Sequence, residues 1–232
     1  GAAGPVICFQ GAMTFDQATR TEIRHVRLNE QTARLAISGL TSTVPEVMMF
    51  LGDDVWVEQR NEWTDGYGQR MGVTIRDTDS LLAMADRRPT AVVGVGEPDV
   101  VGPLVSSLHR RLEGLALVTH SLPMFCEVEA IGAGKDLAVA HLANRMGVDR
   151  TGVIAVGDGK GDQSMIAWAG LGVAVEHGHP DAISAADRVI AGPDRSGLAE
   201  FLESLADAGS IGPPRASKKR RTVPVVDPPT RG

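Results

Sequence analysis

Short apolar runs alternate with amphipathic stretches through the second half of the chain. The clearest run, VIAV at residues 153–156, is mostly β-branched and predicts a buried strand that leads directly into Gly157 and Asp158. Strands separated by short helices are typical of βαβ units, so this half predicts an α/β fold with a parallel sheet. Its other strands are predicted at residues 125–128, 171–175 and 188–190, and its helices at 136–146, 164–169, 181–186 and 196–205.

Residues 19–121 show a different pattern, in which alternating strands and turn signals predict an α+β region. Residues 46–51 and 55–59 are apolar strands on either side of GDD, a turn sequence typical of a hairpin. Asn29 is a suitable cap for a helix that continues through Ala36. Before this region, residues 5–9 predict a short buried strand.

Composition and charge restrict the function classes. The chain has 232 residues, of which 43% are hydrophobic and 22% charged, and this is sufficient for a sizeable core. The net charge of −6 gives the whole molecule no electrostatic attraction for nucleic acid or an anionic membrane. No apolar run approaches the ~20 residues of a membrane span. Cys8 and Cys126 follow no disulfide or metal spacing, so we expect a reduced protein of the cytoplasm.

The end of the chain has its own composition. From Gly209 onward Pro, Ser, Lys and Arg dominate without apolar periodicity, and residues 209–232 are therefore predicted to be a disordered basic tail. The run KKRR at residues 218–221 would allow contact with nucleic acid or an acidic partner. Four charges in such a segment are more often a solubilising extension, and we favour that interpretation.

Two carboxylates follow the strand at residues 153–156, within the sequence GDGKGD at residues 157–162. Ligands of open α/β sheets bind at the carboxyl edge of the strands, where Asp158 and Asp162 are expected to lie. Hard oxygen ligands at that edge suit Mg²⁺, which is usually held by one or two carboxylates and a substrate phosphate. The alternative is a solvated turn, because Gly, Asp and Lys are common turn residues.

Four segments together resemble the haloacid dehalogenase (HAD) superfamily, and within it the Cof-like phosphatases that carry a large α+β cap. GAGKDLA at residues 132–138 resembles the lysine motif of that family, and GDGKGD resembles its metal motif, Gly-Asp-x-x-Asn-Asp. AGLGVAV at residues 169–175 is similar to the strand that follows, and PVICFQGA at residues 5–12 is similar to the core strand that enters the cap. Order and spacing agree up to about residue 206.

The resemblance implies a division of the chain into domains. Residues 1–18 and 122–208 would form a HAD-like core with a Rossmann-type parallel sheet that lacks its first strands. Residues 19–121 would form the inserted α+β cap, and residues 209–232 the tail.

The resemblance also implies a chemistry, namely hydrolysis of phosphate monoesters of small metabolites through an aspartyl-phosphate, with Mg²⁺ as cofactor. In that case Lys135 holds the phosphoryl oxygens, Asp158 binds the metal, and Asp162 supports the metal site or orients Lys135. Gln10 and His177 occupy positions where relatives carry Asn, and they are weaker candidates for substrate binding.

Departures from the family pattern bear on activity. The nucleophile motif, Asp-x-Asp, and the Ser/Thr motif should precede the segments seen here, so we expect the chain alone to be inactive. A superficial match, DTD at residues 77–79, lies inside the predicted cap, where Asp77 and Asp79 are expected to cap the next helix. Gly161 stands where the metal motif has Asn. The alternative function is therefore a catalytically inactive HAD-derived module that binds a phosphorylated ligand or a protein partner.

Overall fold

The computed structural model describes residues 4–209, and the chain divides into two units after Ile190. All strands belong to the first unit, and the last helix belongs to the second. The strands are β1 (Pro5–Cys8), β2 (Met13–Asp16), β3 (Thr21–His25), β4 (Glu46–Leu51), β5 (Asp54–Val57), β6 (Thr74–Asp77), β7 (Ala91–Val95), β8 (Ala116–Thr119), β9 (Phe125–Ala130), β10 (Ile154–Gly157), β11 (Leu171–Val175) and β12 (Arg188–Ile190). The helices are α1 (Glu30–Thr41), α2 (Glu62–Met71), α3 (Pro98–Arg111), α4 (Lys135–Met146), α5 (Gln163–Trp168), α6 (Pro180–Ala185) and α7 (Gly197–Asp207).

The predicted parallel sheet is confirmed as three strands in the order β10-β11-β12. Helices α5 and α6 pack against it, and buried Ile166, Ala174 and Ala182 form their shared core. Gly172 allows this close packing, because a β-carbon there would stand 2.3 Å from the carbonyl oxygen of Ile166. The carboxyl ends of β10 and β11 therefore meet at one edge, where the GDGKGD loop begins.

A six-stranded mixed sheet contains most of the remaining chain, in the order β6-β5-β4-β7-β9-β8. Helices α1 and α3 cover one face with a large apolar cluster that includes Ile37, Leu40 and Leu108. Burial of each such side chain stabilises the fold by roughly 1.5–3 kcal/mol. The opposite face carries aromatic side chains, among them Trp63 and Tyr67 from α2.

The helix-start and hairpin signals of this region are confirmed. The Asn29 side chain accepts a hydrogen bond from the Thr32 backbone N–H, so α1 begins where it was predicted and continues beyond Ala36 to Thr41. Strands β4 and β5 pair antiparallel across the predicted turn.

The prediction for residues 125–128 is wrong in one respect. They do form a strand, but β9 pairs with β7 and β8 in the six-stranded sheet, so a boundary at 121/122 separates two paired strands. Apolar alternation identifies a strand without identifying its partners. The chain leaves the six-stranded sheet only after Ala130, where β9 ends.

Residues 5–8 form a strand, but this strand does not belong to the parallel sheet of the core, as the resemblance implied. Strand β1 pairs antiparallel with β2, and β2 with β3, in a separate three-stranded sheet rather than with β10. The hairpin partner lies only a few residues ahead in sequence, so this pairing closes a short loop at low entropic cost.

Two further expectations can be compared with the structure, and a third concerns residues that it does not describe. Asp77 ends β6, and at the start of the 3-10 helix Leu82–Arg87 the Ala83 N–H donates to Ser80 Oγ at 3.3 Å and the Leu81 N–H to Glu58 Oε1 at 2.9 Å, so capping by Asp77 and Asp79 is wrong. The predicted disorder of the tail concerns residues 210–232, which lie outside the described residues. None of the helices in residues 4–209 combines the length and apolar character that a membrane span requires.

Candidate functional site

Lys135 and Asp162 are brought together from positions 27 residues apart. Lys135 is the first residue of α4, and its Nζ donates to Asp162 Oδ1 at 2.6 Å. Asp162 is buried and Lys135 is half-buried, so little water screens this pair. The lysine head is thereby fixed at the amino end of a helix, where backbone N–H groups are available to an anion.

The second oxygen of the same carboxylate organises the loop. Asp162 Oδ2 accepts the backbone N–H of Asp158 at 3.1 Å and that of Gly159 at 2.9 Å. Burial alone would raise the pKa of Asp162, but the hydrogen bonds from Lys135 and from the Gly159 backbone lower it. Asp162 is therefore an ionised carboxylate with three donors already in place.

Asp158 is placed differently, directly after β10. Its side chain is exposed, and within residues 4–209 no group donates a hydrogen bond to its carboxylate. Its carbonyl oxygen accepts the His179 N–H at 2.7 Å, so the turn after β11 is anchored beside it. A carboxylate without competing donors at a strand's carboxyl end fits a hard divalent cation such as Mg²⁺.

Gln10 lies beside this loop in an unusual backbone conformation. Phe9 and Gln10 have φ of 50° and 47°, and Gly11 follows at 94°. Such values are costly for residues with a β-carbon and often occur at functional sites. Gln10 Oε1 lies 3.3 Å from the position that a β-carbon on Gly161 would take, and Lys135 Nζ lies 3.9 Å from the same position. Gln10, Gly161 and Lys135 therefore converge.

The two departures noted at positions 10 and 161 are complementary in space. Gln10 is one methylene longer than the Asn that the resemblance implies at its position, and Gly161 has no side chain where the resemblance implies a second Asn. The amide of Gln10 reaches next to the space that a side chain at 161 would use.

Glu127 is a residue of this region that sequence reasoning missed. It projects from β9, and its Oε2 accepts Gln10 Nε2 at 3.1 Å. Its Oε1 accepts Ser121 Oγ at 2.9 Å, and Thr119 Oγ1 lies 3.4 Å from Oε2. The sequence does contain a signal for Glu127. In the strand FCEVEA at residues 125–130, alternation places Glu127 and Glu129 on the same face as Phe125.

Arg24 joins two loops that connect the sheets, namely the loop with Gln10 and Gly11 and the loop that leads from Gly132 to Lys135. Arg24 donates to the carbonyl oxygen of Gly11 at 2.6 Å and to that of Gly132 at 2.5 Å. Gly11 also packs directly on Gly134, the residue before α4. The loop that carries Gln10 and the loop that leads to Lys135 are thus held together.

His177 lies in the turn after β11 and is exposed. Its Nδ1 is 3.7 Å from Glu176 Oε1, and the turn is attached to Asp158 through His179. A role for His177 in substrate binding stays a prediction.

A family model described as haloacid dehalogenase-like hydrolase matches residues 1–202. The chain belongs to this family. The expected HAD-type fold with a cap domain, of the Cof-like kind, is thereby confirmed. A haloacid dehalogenase-like hydrolase from Bacteroides thetaiotaomicron has a similar structure, with a TM-score of 0.74 and 25% identity over 88% of this chain and 77% of that one.

Two curated relatives of the chain have names that state a substrate. The phosphoglycolate phosphatase of Methanopyrus kandleri is 27% identical over 172 residues, which are 72% of this chain and 65% of the relative. The 5-amino-6-(5-phospho-D-ribitylamino)uracil phosphatase YcsE of Bacillus subtilis is 33% identical over 81 residues, 35% of this chain and 32% of the relative. The chain thus matches less than two thirds of the length of either relative.

Proposed function

We propose that the protein acts as a Mg²⁺-dependent phosphatase on phosphate monoesters of small metabolites. The observation that carries the proposal is the arrangement of Lys135, Asp162 and the loop backbone beside the open carboxylate of Asp158. In this proposal the parallel sheet is the core, and the six-stranded sheet, through Ala130, is the cap. The free Cys8 and Cys126 support a reducing, cytoplasmic location.

Lys135 would bind the phosphoryl group. Its ammonium is a compact point charge, held by Asp162 so that it meets an incoming phosphate without reorganisation. No side chain caps α4, which leaves the N–H groups of its first turn as additional donors. Asp162 would thus serve mainly as a positioning residue, which is the second of the roles expected for it.

Asp158 would hold the metal. Mg²⁺, when bound there, supplies positive charge to a phosphoryl oxygen. The three donors on Asp162 leave it with less capacity for a cation, so we assign the direct ligand to Asp158 and the orientation of the loop to Asp162.

The proposed chemistry proceeds through an aspartyl-phosphate. A carboxylate oxygen forms a bond to phosphorus while the ester P–O bond breaks, and the leaving oxygen takes up a proton. Water then cleaves the acyl phosphate and releases inorganic phosphate. Asp158 and Asp162 already have other roles in this proposal, and the only Asp-x-Asp sequence of the 232 residues, DTD at residues 77–79, lies in the six-stranded region, so we assign the attack to no aspartate of this chain. We therefore expect the 232-residue chain to bind phosphate without turnover.

The alternative of a binding module was favoured by the loss of Asn at position 161. Gln10 Oε1, 3.3 Å from the β-carbon position of residue 161, offers an amide at that place. This observation supports the phosphatase as the preferred function. The names of the relatives suggest either a polyol chain or a carboxylate as the organic group of the substrate.

Calorimetric titration of the chain with inorganic phosphate and MgCl₂ tests the proposal. Binding should require Mg²⁺ and should weaken at least tenfold in Lys135→Met, which loses a charge-assisted hydrogen bond to the anion. Asp158→Asn should weaken phosphate binding, with or without MgCl₂, to the level of the parent chain in the absence of Mg²⁺. Arg145→Met, an exposed cation at the other end of α4, is the matched control and should bind as the parent does. Equal binding by Lys135→Met would refute the site.

Turnover is tested separately. The chain should show no hydrolysis of an aryl phosphate with Mg²⁺. Hydrolysis that survives Asp158→Ala would contradict the assignment of the site.

A further inference from the structure

Glu127 is the centre of a polar array on the face of the six-stranded sheet that meets the site. Its carboxylate accepts hydrogen bonds from Gln10 and Ser121, and the Thr119 hydroxyl lies 3.4 Å away. All three donors are neutral. Within residues 4–209 no Lys, Arg or His lies within 4.0 Å of this carboxylate, so its negative charge is not neutralised.

The charge acts in apolar surroundings. Phe125 lies on the same face of β9, with Trp63 edge-on to its ring and Tyr67 stacked on Trp63. Burial raises the pKa of the Tyr67 hydroxyl, and the charge of Glu127 raises it further. Burial raises the pKa of Cys126 to about 12, with smaller contributions from Glu129 and Glu127. The field of Glu127 therefore extends to its neighbours, as expected where water is partly excluded.

Gln10 connects this charge to the phosphate site. Its Nε2 binds Glu127, and its Oε1 lies beside Gly161, at the position that Lys135 Nζ also approaches. Glu127 thus lies at the nitrogen end of the Gln10 amide, and the candidate phosphoryl site lies at its oxygen end. A carboxylate on the organic part of an ester bound at Lys135 would approach the charge of Glu127 from the other side of this amide, and like charges repel each other more strongly where water is partly excluded.

We propose that Glu127 is a specificity-determining residue that selects phosphate monoesters with hydroxyl groups on the organic part and rejects those with a carboxylate near the phosphate. The proposal rests on the proposed function. The hydroxyl groups of Ser121 and Thr119 beside Glu127 add partners for a polyol, whereas a second carboxylate would meet uncompensated negative charge.

Glycerol 3-phosphate and 3-phosphoglycerate test this, because they differ in a hydroxymethyl group against a carboxylate. In calorimetric titrations of the full chain with MgCl₂, glycerol 3-phosphate should bind about tenfold more tightly than 3-phosphoglycerate. This is the order of magnitude expected for repulsion between Glu127 and a ligand carboxylate in a partly desolvated site. Glu127→Gln should remove most of that preference by strengthening binding of 3-phosphoglycerate. Glu127→Asp keeps the charge and should keep the preference, which a purely structural role would not predict.

Two controls separate the possible failures. Glu113→Gln, an exposed acid elsewhere, should preserve the preference. Inorganic phosphate has no organic part, so Glu127→Gln should change its binding by less than about threefold. If inorganic phosphate does not bind, or binds independently of Lys135, the proposed function fails and this inference fails with it. If phosphate binds through Lys135 but the parent chain binds both esters equally, or Glu127→Gln retains the preference, only the role of Glu127 is overturned.

Discussion

A β-carbon on Gly11 would stand 2.2 Å from the carbonyl oxygen of Gly134. This contact places the loop that carries Gln10 directly against the residue before α4, and hence against the backbone that positions Lys135. Gly11 also has φ of 94°, a conformation that residues with a β-carbon rarely adopt.

Gly11→Ala should therefore damage both stability and the site. The clash and the strained φ should lower the free energy of unfolding by about 2–4 kcal/mol, measured by urea denaturation. Phosphate binding should weaken as well, because relief of the clash displaces the start of α4. Gly102→Ala is the control: nothing lies within 4 Å of its β-carbon position, and Ala in a helix should be neutral or stabilising by up to about 1 kcal/mol.

Asp162→Asn should uncouple Lys135 from the loop. An amide has one oxygen and one NH₂, so it cannot accept from Lys135 and also from the N–H groups of Asp158 and Gly159. We expect the free energy of unfolding to fall by about 1–3 kcal/mol, and phosphate affinity to fall about tenfold or more through misplacement of Lys135.

The control for this change is Asp86→Asn, an exposed aspartate in the six-stranded region that should leave both quantities unchanged. Unaltered phosphate affinity in Asp162→Asn, measured by titration calorimetry, would show that Lys135 does not depend on this carboxylate.

Glu129 should make stability depend on pH. Its side chain is fully buried, with Oε2 lacking a hydrogen bond within the described residues, and burial together with the charge of Glu127 raises its pKa well above the ordinary value. The folded protein then holds a proton that the unfolded chain releases above about pH 4.3. Stability should consequently fall as pH rises from about 5 to 8.

Glu129→Gln cannot titrate, so its stability should vary less over the same range, as measured by urea denaturation at each pH. Glu113→Gln should keep the slope of the parent protein. An identical slope in Glu129→Gln would show that another group is responsible.

Arg24→Lys should weaken the connection between the loop at Gly11 and the loop at Gly132. An ammonium cannot reach the carbonyl oxygens of Gly11 and Gly132 in the forked geometry of a guanidinium. Loss of one charge-assisted hydrogen bond should cost about 1–3 kcal/mol of unfolding free energy. Arg27→Lys, whose exposed side chain pairs only with Glu22 in the described residues, should change stability by less than about 0.5 kcal/mol. Equal effects of the two substitutions would contradict the special role of Arg24.

Local signals predicted several parts of the fold because their physical causes are local. The Asn29 cap, the β4–β5 hairpin, the helix predicted at residues 136–146 and observed as α4, and the three parallel strands each depend on residues close in sequence. Strand β9 forms a local hairpin with β8, with Thr119 opposite Glu127, but its place in the six-stranded sheet depends on the more distant β7, with Val93 opposite Glu127. Pairing of that kind is decided by the packing of both sheet faces rather than by the strand itself.

The candidate site shows the same division. Lys135, Asp158 and Asp162 stand out in the sequence because their motifs are short and contiguous. Gln10 and Gly161 are 151 positions apart, so their complementary lengths became visible only when the chain was folded. Glu127 carries no motif at all, and its significance depends on the hydrogen bond from Gln10.

The left-handed backbone at Phe9 and Gln10 has a consequence for the rate of ligand capture. The Phe9 ring is locked edge-on against Phe50, with centroids 5.2 Å apart, and Gln10 is bonded to Glu127 before any ligand arrives. The cost of ordering this segment is thus met when the protein folds rather than when a ligand binds. Association at this part of the site should accordingly proceed in a single kinetic phase, without a slow step in which the loop rearranges.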